Sequence, residues 1–264
     1  MIRLVDVAKA FGDKRVLTRF SLDVNEGETM VIIGYSGTGK SVAIKHVVGL
    51  LKPDSGEVSV DGLDVPRLPR RELYSLRARI GYVFQFAALF DSLTIGDNVV
   101  MGLRRQGELT EAEMTTRVEE ALDLVDLPGV TDHFPSELSG GMRKRVGIAR
   151  AIALRPKYLL YDEPTTGLDP VTSAVIDQLM IRMREKLGVT SVVITHDMRS
   201  AYTVGTRIAM LYDGRVRQVG TVEEIRNTQD PVVRQFIEGR PELDAKDEDD
   251  EFDESEPLFS SGNP

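Results

Sequence analysis

The chain is predicted to be an α/β protein with a helical lobe set into its core, and three features of its 264 residues carry that prediction. The apolar run "TMVIIG" leads into the glycine-rich loop "GYSGTGKS", and "KSVAIKHVVGLL" has helical periodicity, giving the strand, loop, helix order of a nucleotide-binding unit. Further apolar runs of strand length follow in "RIGYVFQ", "KYLLYDEP" and "SVVITHD". Between Gln85 and about Arg155 the strand signal vanishes, and segments such as "EAEMTTRVEEALDLVDL" are amphipathic helix.

In chain order, residues 2–7 and 20–24 alternate apolar and polar as half-exposed strands do, with "FGDKR" as the turn after the first. "KPDSGEVSVDG" is a turn and a strand, and "RIAMLYDGRVRQVG" is a terminal hairpin turning at Asp213-Gly214. The predicted division is a nucleotide-binding core at 1–85 and 156–225, a helical lobe at 86–155, a C-terminal helix at 226–240 and a disordered tail at 241–264.

The net charge of -9 resides in that tail, where ten acids face Lys246 alone, leaving 32 acids and 32 bases before it. The body is neutral, so overall charge offers no basic stripe for a phosphate backbone. With no cysteine, disulfides, thiolate metal sites and cysteine nucleophiles are excluded. The first residues, "MIRLVDVAKAFGDKRVL", lack the apolar core of a signal peptide, and no apolar run approaches the roughly 20 residues that span a bilayer. A membrane role therefore runs through a partner.

"GYSGTGKS" matches the phosphate-loop pattern. Gly34, Gly37 and Gly39, with Tyr35, Ser36 and Thr38 between them, let successive N–H groups point into one concavity at the positive end of a helix. Lys40 is expected to reach the β and γ phosphates of ATP, Ser41 to bind Mg²⁺, and Val42 to follow on the helix. "YLLYDEP" carries two acids to a strand end: Asp162 fits the metal-side acid, and Glu163 the general base that orients water against the γ-phosphate.

"LSGGMRKRV" adds a second set of phosphate-type donors, Ser139, Gly140 and Gly141, at a helix start. With "LLYDEPTTGLDP", the glutamine of "YVFQ" and the histidine of "VITHD", in that order after the phosphate loop, the chain resembles over residues 1–225 the nucleotide-binding subunit of ABC transporters. That resemblance implies a P-loop NTPase (RecA-like) core with an antiparallel β subdomain and the inserted α-helical subdomain. It implies that Ser139, Gly140 and Gly141 touch ATP held by the opposite subunit of a homodimer, a two-fold assembly that uses both halves of each chain. It makes Gln85 the Mg²⁺-sensing loop glutamine, His196 the switch histidine at the γ-phosphate, Asp169 the dimer-spanning aspartate and Phe11 the adenine-stacking aromatic.

Several departures from the commonest family pattern resemble a subgroup. Met142 replaces the usual glutamine and Val42 the usual threonine, and "FAALFDSLTIGDNV", "HVVGLLKPDSG" and "DPVVRQFIEGRP" resemble the ATPases of bacterial lipid-trafficking systems of the Mla or Mkl type. "GALFDS" is the form expected there; "AALFDS" departs by one residue. This resemblance implies phospholipid transport, integral-membrane permease subunits, an MCE-domain lipid-binding protein in the complex, and a place at the cytoplasmic face of the inner membrane. Phe86, Leu89 and Phe90 either line a groove for a short helix of a membrane subunit or belong to the core of the lobe. An importer ATPase for a small polar solute is the alternative. A non-transport ABC protein acting on ribosomes or DNA usually has two cassettes in one chain or a long coiled-coil insertion; neither is present, and no direct nucleic-acid binding is expected.

Overall fold

The computed structural model describes residues 1–240; the acidic tail, with the disorder expected of it, lies outside the described residues. The chain begins with a hairpin, β1 (Ile2–Phe11) and β2 (Lys14–Val24). Then come β3 (Thr29–Ile33), α1 (Lys40–Val47), β4 (Ser55–Val60), β5 (Leu63–Asp64), α2 (Arg70–Ala78) and β6 (Ile80–Val83). Three helices, α3 (Ile95–Gln106), α4 (Glu111–Leu124) and α5 (Gly140–Ile152), occupy the stretch where strand signal is absent. The chain returns through β7 (Tyr158–Asp162), α6 (Pro170–Leu187), β8 (Thr190–Ile194), α7 (Met198–Val204) and the hairpin β9 (Arg207–Tyr212) and β10 (Arg215–Thr221). Two short helices, α8 (Val222–Arg226) and α9 (Pro231–Ile237), end the described chain.

Two sheets result. The larger has the order β10-β9-β3-β8-β7-β6 and is parallel except at the β9–β10 hairpin; the smaller is antiparallel, ordered β2-β1-β4-β5. Every residue of β3, β7 and β8 is buried, as befits parallel strands covered on both faces, which is why they read as unbroken apolar runs. Successive side chains serve opposite cores. Val31, Ile33, Leu159 and Tyr161 pack with the helical lobe and α6, whereas Met30, Ile32, Tyr158 and Leu160 pack with α1 and the small sheet. The carboxyl ends of β3, β7 and β8 converge, and the loops that leave them carry the phosphate loop, the two acids and His196.

Four expectations are corrected. β1 and β2 extend to Phe11 and from Lys14, because register shifts at Leu4/Val7, Val7/Lys9 and Lys9/Ala10 interrupt the alternation by which strands are read. α1 stops at Val47 because Gly49, in the left-handed region at φ 62°, closes the helix with its N–H on the His46 carbonyl. α2 was not predicted: "RRELYSLRA" is a short, charged segment whose apolar stripe, Leu73 and Leu76 on one face, is too brief to read from the sequence. The C-terminal helix expected at 226–240 is the shorter α9, preceded by α8, since Asp230 starts α9 by accepting from the N–H groups of Val232 and Val233, with Pro231 at its first position. The Asp213-Gly214 turn is as expected, with both residues at positive φ, 47° and 71°.

Candidate functional site

The loop between β3 and α1 is shaped by glycines that nothing larger could replace. Gly34 sits at φ 148°, where a Cβ would lie 2.4 Å from the Leu211 carbonyl oxygen; Gly39 sits at φ 104°, where a Cβ would meet Val16 at 2.7 Å. Thr38 Oγ1 donates to the Tyr35 carbonyl at 2.8 Å and braces the bend. Lys40, buried, donates through Nζ to the carbonyls of Gly34 at 2.7 Å and Tyr35 at 2.9 Å. Burial lowers the pKa of its ammonium, while Glu163 and Asp162 oppose that effect.

The end of β7 meets this loop. Ser41 Oγ donates to Asp162 Oδ1 at 2.6 Å, and Tyr82 on β6 donates to Asp162 Oδ2 at 3.0 Å. Burial raises the pKa of the Tyr82 phenol, with the neighbouring Asp162 carboxylate second, so it stays a donor. Glu163 stands at φ 52°, a left-handed conformation that a non-glycine residue adopts only when its surroundings enforce it. Here its N–H bonds the Ile194 carbonyl at 3.0 Å, and buried Lys144 donates to the carbonyls of Glu163 at 3.4 Å and Thr166 at 2.8 Å. The strained backbone turns the carboxylate toward His196, whose Nδ1 lies 2.9 Å from Glu163 Oε2; Thr166 Oγ1 donates to the same oxygen at 2.9 Å.

A cleft of about 610 Å³ gathers ten of the sequence-predicted residues: Phe11, Ser36, Gly37, Gly39, Lys40, Ser41, Val42, Gln85, Glu163 and His196. Asp162 adjoins through Ser41. Gly34 and Thr38 shape the loop from behind, and Tyr35 turns away to stack edge-on against Phe236 of α9, ring centres 5.0 Å apart. Phe11, at the end of β1, is 48% exposed on the rim, a flat apolar face open to a purine.

Ser139, Gly140, Gly141 and Asp169 do not line this cleft. Ser139 caps α5, accepting from the Met142 N–H, and Asp169 caps α6, accepting from the N–H groups of Val171 and Thr172 at 3.0 Å. Gly140 is exposed with open space beside it, but a Cβ on Gly141 would sit 2.4 Å from Thr172 Cγ2. The first turns of α5 and α6 therefore meet, and Gly141 is needed for that contact within its own chain.

The donors around Ser41 suit a small hard cation. A serine hydroxyl, the Asp162 carboxylate and the Gln85 side chain in the same cleft supply oxygens only, the chemistry Mg²⁺ accepts when phosphate oxygens and water complete its shell. Among the described residues no group of three or more His, Cys, Asp or Glu is placed to hold a metal ion. Beyond the cleft, Leu89 packs on the lobe as the core reading has it, whereas Phe86 and Phe90 are 83% and 53% exposed and are not core. The Arg150 guanidinium donates to the carbonyls of Ala87 and Ala88, both at 2.6 Å. Sequence reasoning missed Lys14, Val16 and Thr166 in the cleft wall, and Tyr82, Lys144 and Arg150 behind it; all but the first two lie in or beside quoted motifs, yet none has a spacing that announces a partner.

A family model described as "ABC transporter" matches residues 17–166. A probable ribonucleotide transport ATP-binding protein, mkl, of Mycobacterium leprae is 41% identical over 239 residues, covering 90% of this chain and 69% of that protein. A methionine import ATP-binding protein, MetN, of Carboxydothermus hydrogenoformans is 43% identical over 224 residues, covering 84% and 66%. Among solved structures, the dimeric post-hydrolysis state of the ATP-binding cassette MJ0796 bound to ADP and Pi is 37% identical with a TM-score of 0.77, covering 84% of this chain and 99% of that one.

Proposed function

The chain belongs to the ABC transporter family, as an ATP-binding, ATP-hydrolysing subunit that uses Mg²⁺, and from that premise we propose that it powers phospholipid transport as a homodimer bound to permease subunits. Lys40 and the loop N–H groups hold the phosphates, and Phe11 stacks on adenine. Ser41, Asp162 and Gln85 would hold Mg²⁺, whose positive charge would offset the negative charge of the phosphates. Glu163 orients the attacking water in line with the γ-phosphate and takes its proton, while His196 and Thr166 fix the carboxylate. Ser139, Gly140, Gly141 and Asp169 serve the partner's nucleotide. What supports that assignment is their position: Ser139, Gly140 and Asp169 are exposed at helix starts outside the chain's own cleft, with Gly141 buried at the start of α5.

Among the described residues no helix is long and apolar enough to cross a membrane, so the membrane step belongs to another subunit. The observation that carries the cargo reading is "FAALFDSL", where Phe86 and Phe90 are exposed beside Gln85 as a surface for a permease helix, together with Val42 and Met142. The reading adds an MCE-domain protein to the complex and places it on the cytoplasmic face of the inner membrane. Affinity purification from native membranes tests it: an MCE-domain protein and bound phospholipid are expected with the chain. Recovery of a soluble amino-acid-binding protein and no lipid would favour instead the second reading, import of a small polar solute, which the likeness to a methionine import protein supports.

A further inference from the structure

α6 and α7 share a buried polar contact, besides the bond from Arg184 Nη1 to the Val204 carbonyl at 3.3 Å near their far ends. Ser200 Oγ on α7 donates to Asp177 Oδ2 on α6 at 3.0 Å, and the two residues are 1% and 4% exposed. Asp177 Oδ1 has no hydrogen-bond partner among the described residues, and a cavity of about 180 Å³ beside it is lined by Pro170, Ser173, Asp197 and Arg199. Asp197 accepts from the N–H of Arg199 at 2.8 Å and so starts α7; Ser200 Oγ also reaches Asp197 Oδ2 at 3.4 Å. A buried carboxylate with an unpartnered oxygen is a poor device for stability, since well-packed apolar groups do better there. Its position is the informative part. α6 begins at Asp169 and α7 begins immediately after His196.

We propose that Asp177 and Ser200 are positioning residues that tie the helix begun by Asp169 to the helix that follows His196, so that a partner subunit's contact at Asp169 is transmitted to the His196–Glu163 pair. The inference rests on the dimer reading above. It makes the tie a determinant of the hydrolytic step and leaves nucleotide binding to the phosphate loop, which stands on β3 and α1.

Asp177→Leu, Ser200→Ala and the double variant test it, with Asp177→Asn as the conservative control. Each of the first three is expected to lower kcat about 3- to 10-fold with KM for ATP unchanged, and the double variant to lose no more than either single one, because both remove one interaction. Asp177→Asn, which keeps an acceptor for Ser200, is expected to retain activity. The Tm of Asp177→Leu is expected to match or exceed that of the parent, whereas a merely structural residue would lose activity and stability together. Unchanged kcat in Asp177→Leu and Ser200→Ala, or multiplicative losses in the double variant, overturns the tie. If the parent chain instead fails to dimerise on ATP in a Glu163→Gln background, the dimer reading fails first, and the two failures are distinguishable.

Discussion

His196 Nδ1 lies 2.9 Å from Glu163 Oε2, an oxygen that also accepts from Thr166. A carboxylate only accepts, so the ring and the hydroxyl both donate, and one oxygen of Glu163 is held by two neighbours while the other is left for water. Glu163→Gln preserves an acceptor for both neighbours and removes the base. Its kcat is expected to fall by about 10²- to 10⁴-fold with ATP affinity retained and ATP-dependent dimers accumulating on a sizing column. Turnover at the parent rate would remove Glu163 from the role.

Two glycines of the phosphate loop differ in what a methyl would meet. At Gly34 it lands 2.4 Å from a backbone oxygen, at Gly37 it meets nothing within 4 Å. Gly34→Ala is therefore expected to cost about 2 kcal/mol or more in stability and to abolish measurable ATP binding by calorimetry, whereas Gly37→Ala pays only the left-handed penalty of about 1 kcal/mol. Equal effects in the two variants would refute the geometric argument.

Gly140 and Gly141 separate the partner's site from the chain's own packing. A methyl on Gly140 enters open space, while one on Gly141 strikes Thr172. Gly140→Ala should unfold at the parent temperature and bind ATP normally as a monomer, yet hydrolyse it at least about 10-fold more slowly if a partner's phosphate must approach that surface. Gly141→Ala should lose stability as well, measurable in the same thermal scan.

Arg150 clamps Ala87 and Ala88, which stand at φ 59° and 50°. The glycine expected from "GALFDS" at position 87 would take this conformation freely; alanine takes it under restraint. Arg150→Met removes two charge-assisted bonds and is expected to destabilise by about 3 kcal/mol. Amide exchange should quicken at residues 84–90 ahead of the lobe as a whole.

Burial, joined by a smaller push from the Asp197 charge, moves the Asp177 carboxyl up from 3.8 to about 6, against the opposing Ser200 bond and Arg199 charge. The folded state thus binds this proton more tightly than the unfolded state does. Stability is unaffected by the group below the unfolded value, falls as pH rises from about 4 to about 6, and carries the whole penalty above that, on the order of 3 kcal/mol. Asp177→Asn should raise Tm at pH 7.5 and leave it nearly unchanged at pH 4. A gain of the same size at both values would show that charge is not the cause.

What the sequence determined by itself is the local chemistry. Strands buried on both faces read as apolar runs, the glycine spacing of residues 34–39 builds one kind of loop, and the acids at 162 and 163 are contiguous, so each feature rests on neighbours in the chain. The first hairpin and α2 were partly illegible, since bulges break alternation and a short charged helix with Leu73 and Leu76 on its inner face has too brief a period to read. Only the tertiary structure decided which residues come together: ten predicted residues meet in one cleft, and Ser139, Gly140, Gly141 and Asp169 stand outside it. It also supplied the partners that sequence distance hides. Tyr82 meets Asp162 across 80 residues, Arg150 reaches Ala87 across 63, and Asp177 finds Ser200 across 23. Such pairs arise because packed strands and helices bring distant side chains together, and no periodicity along the chain records that encounter.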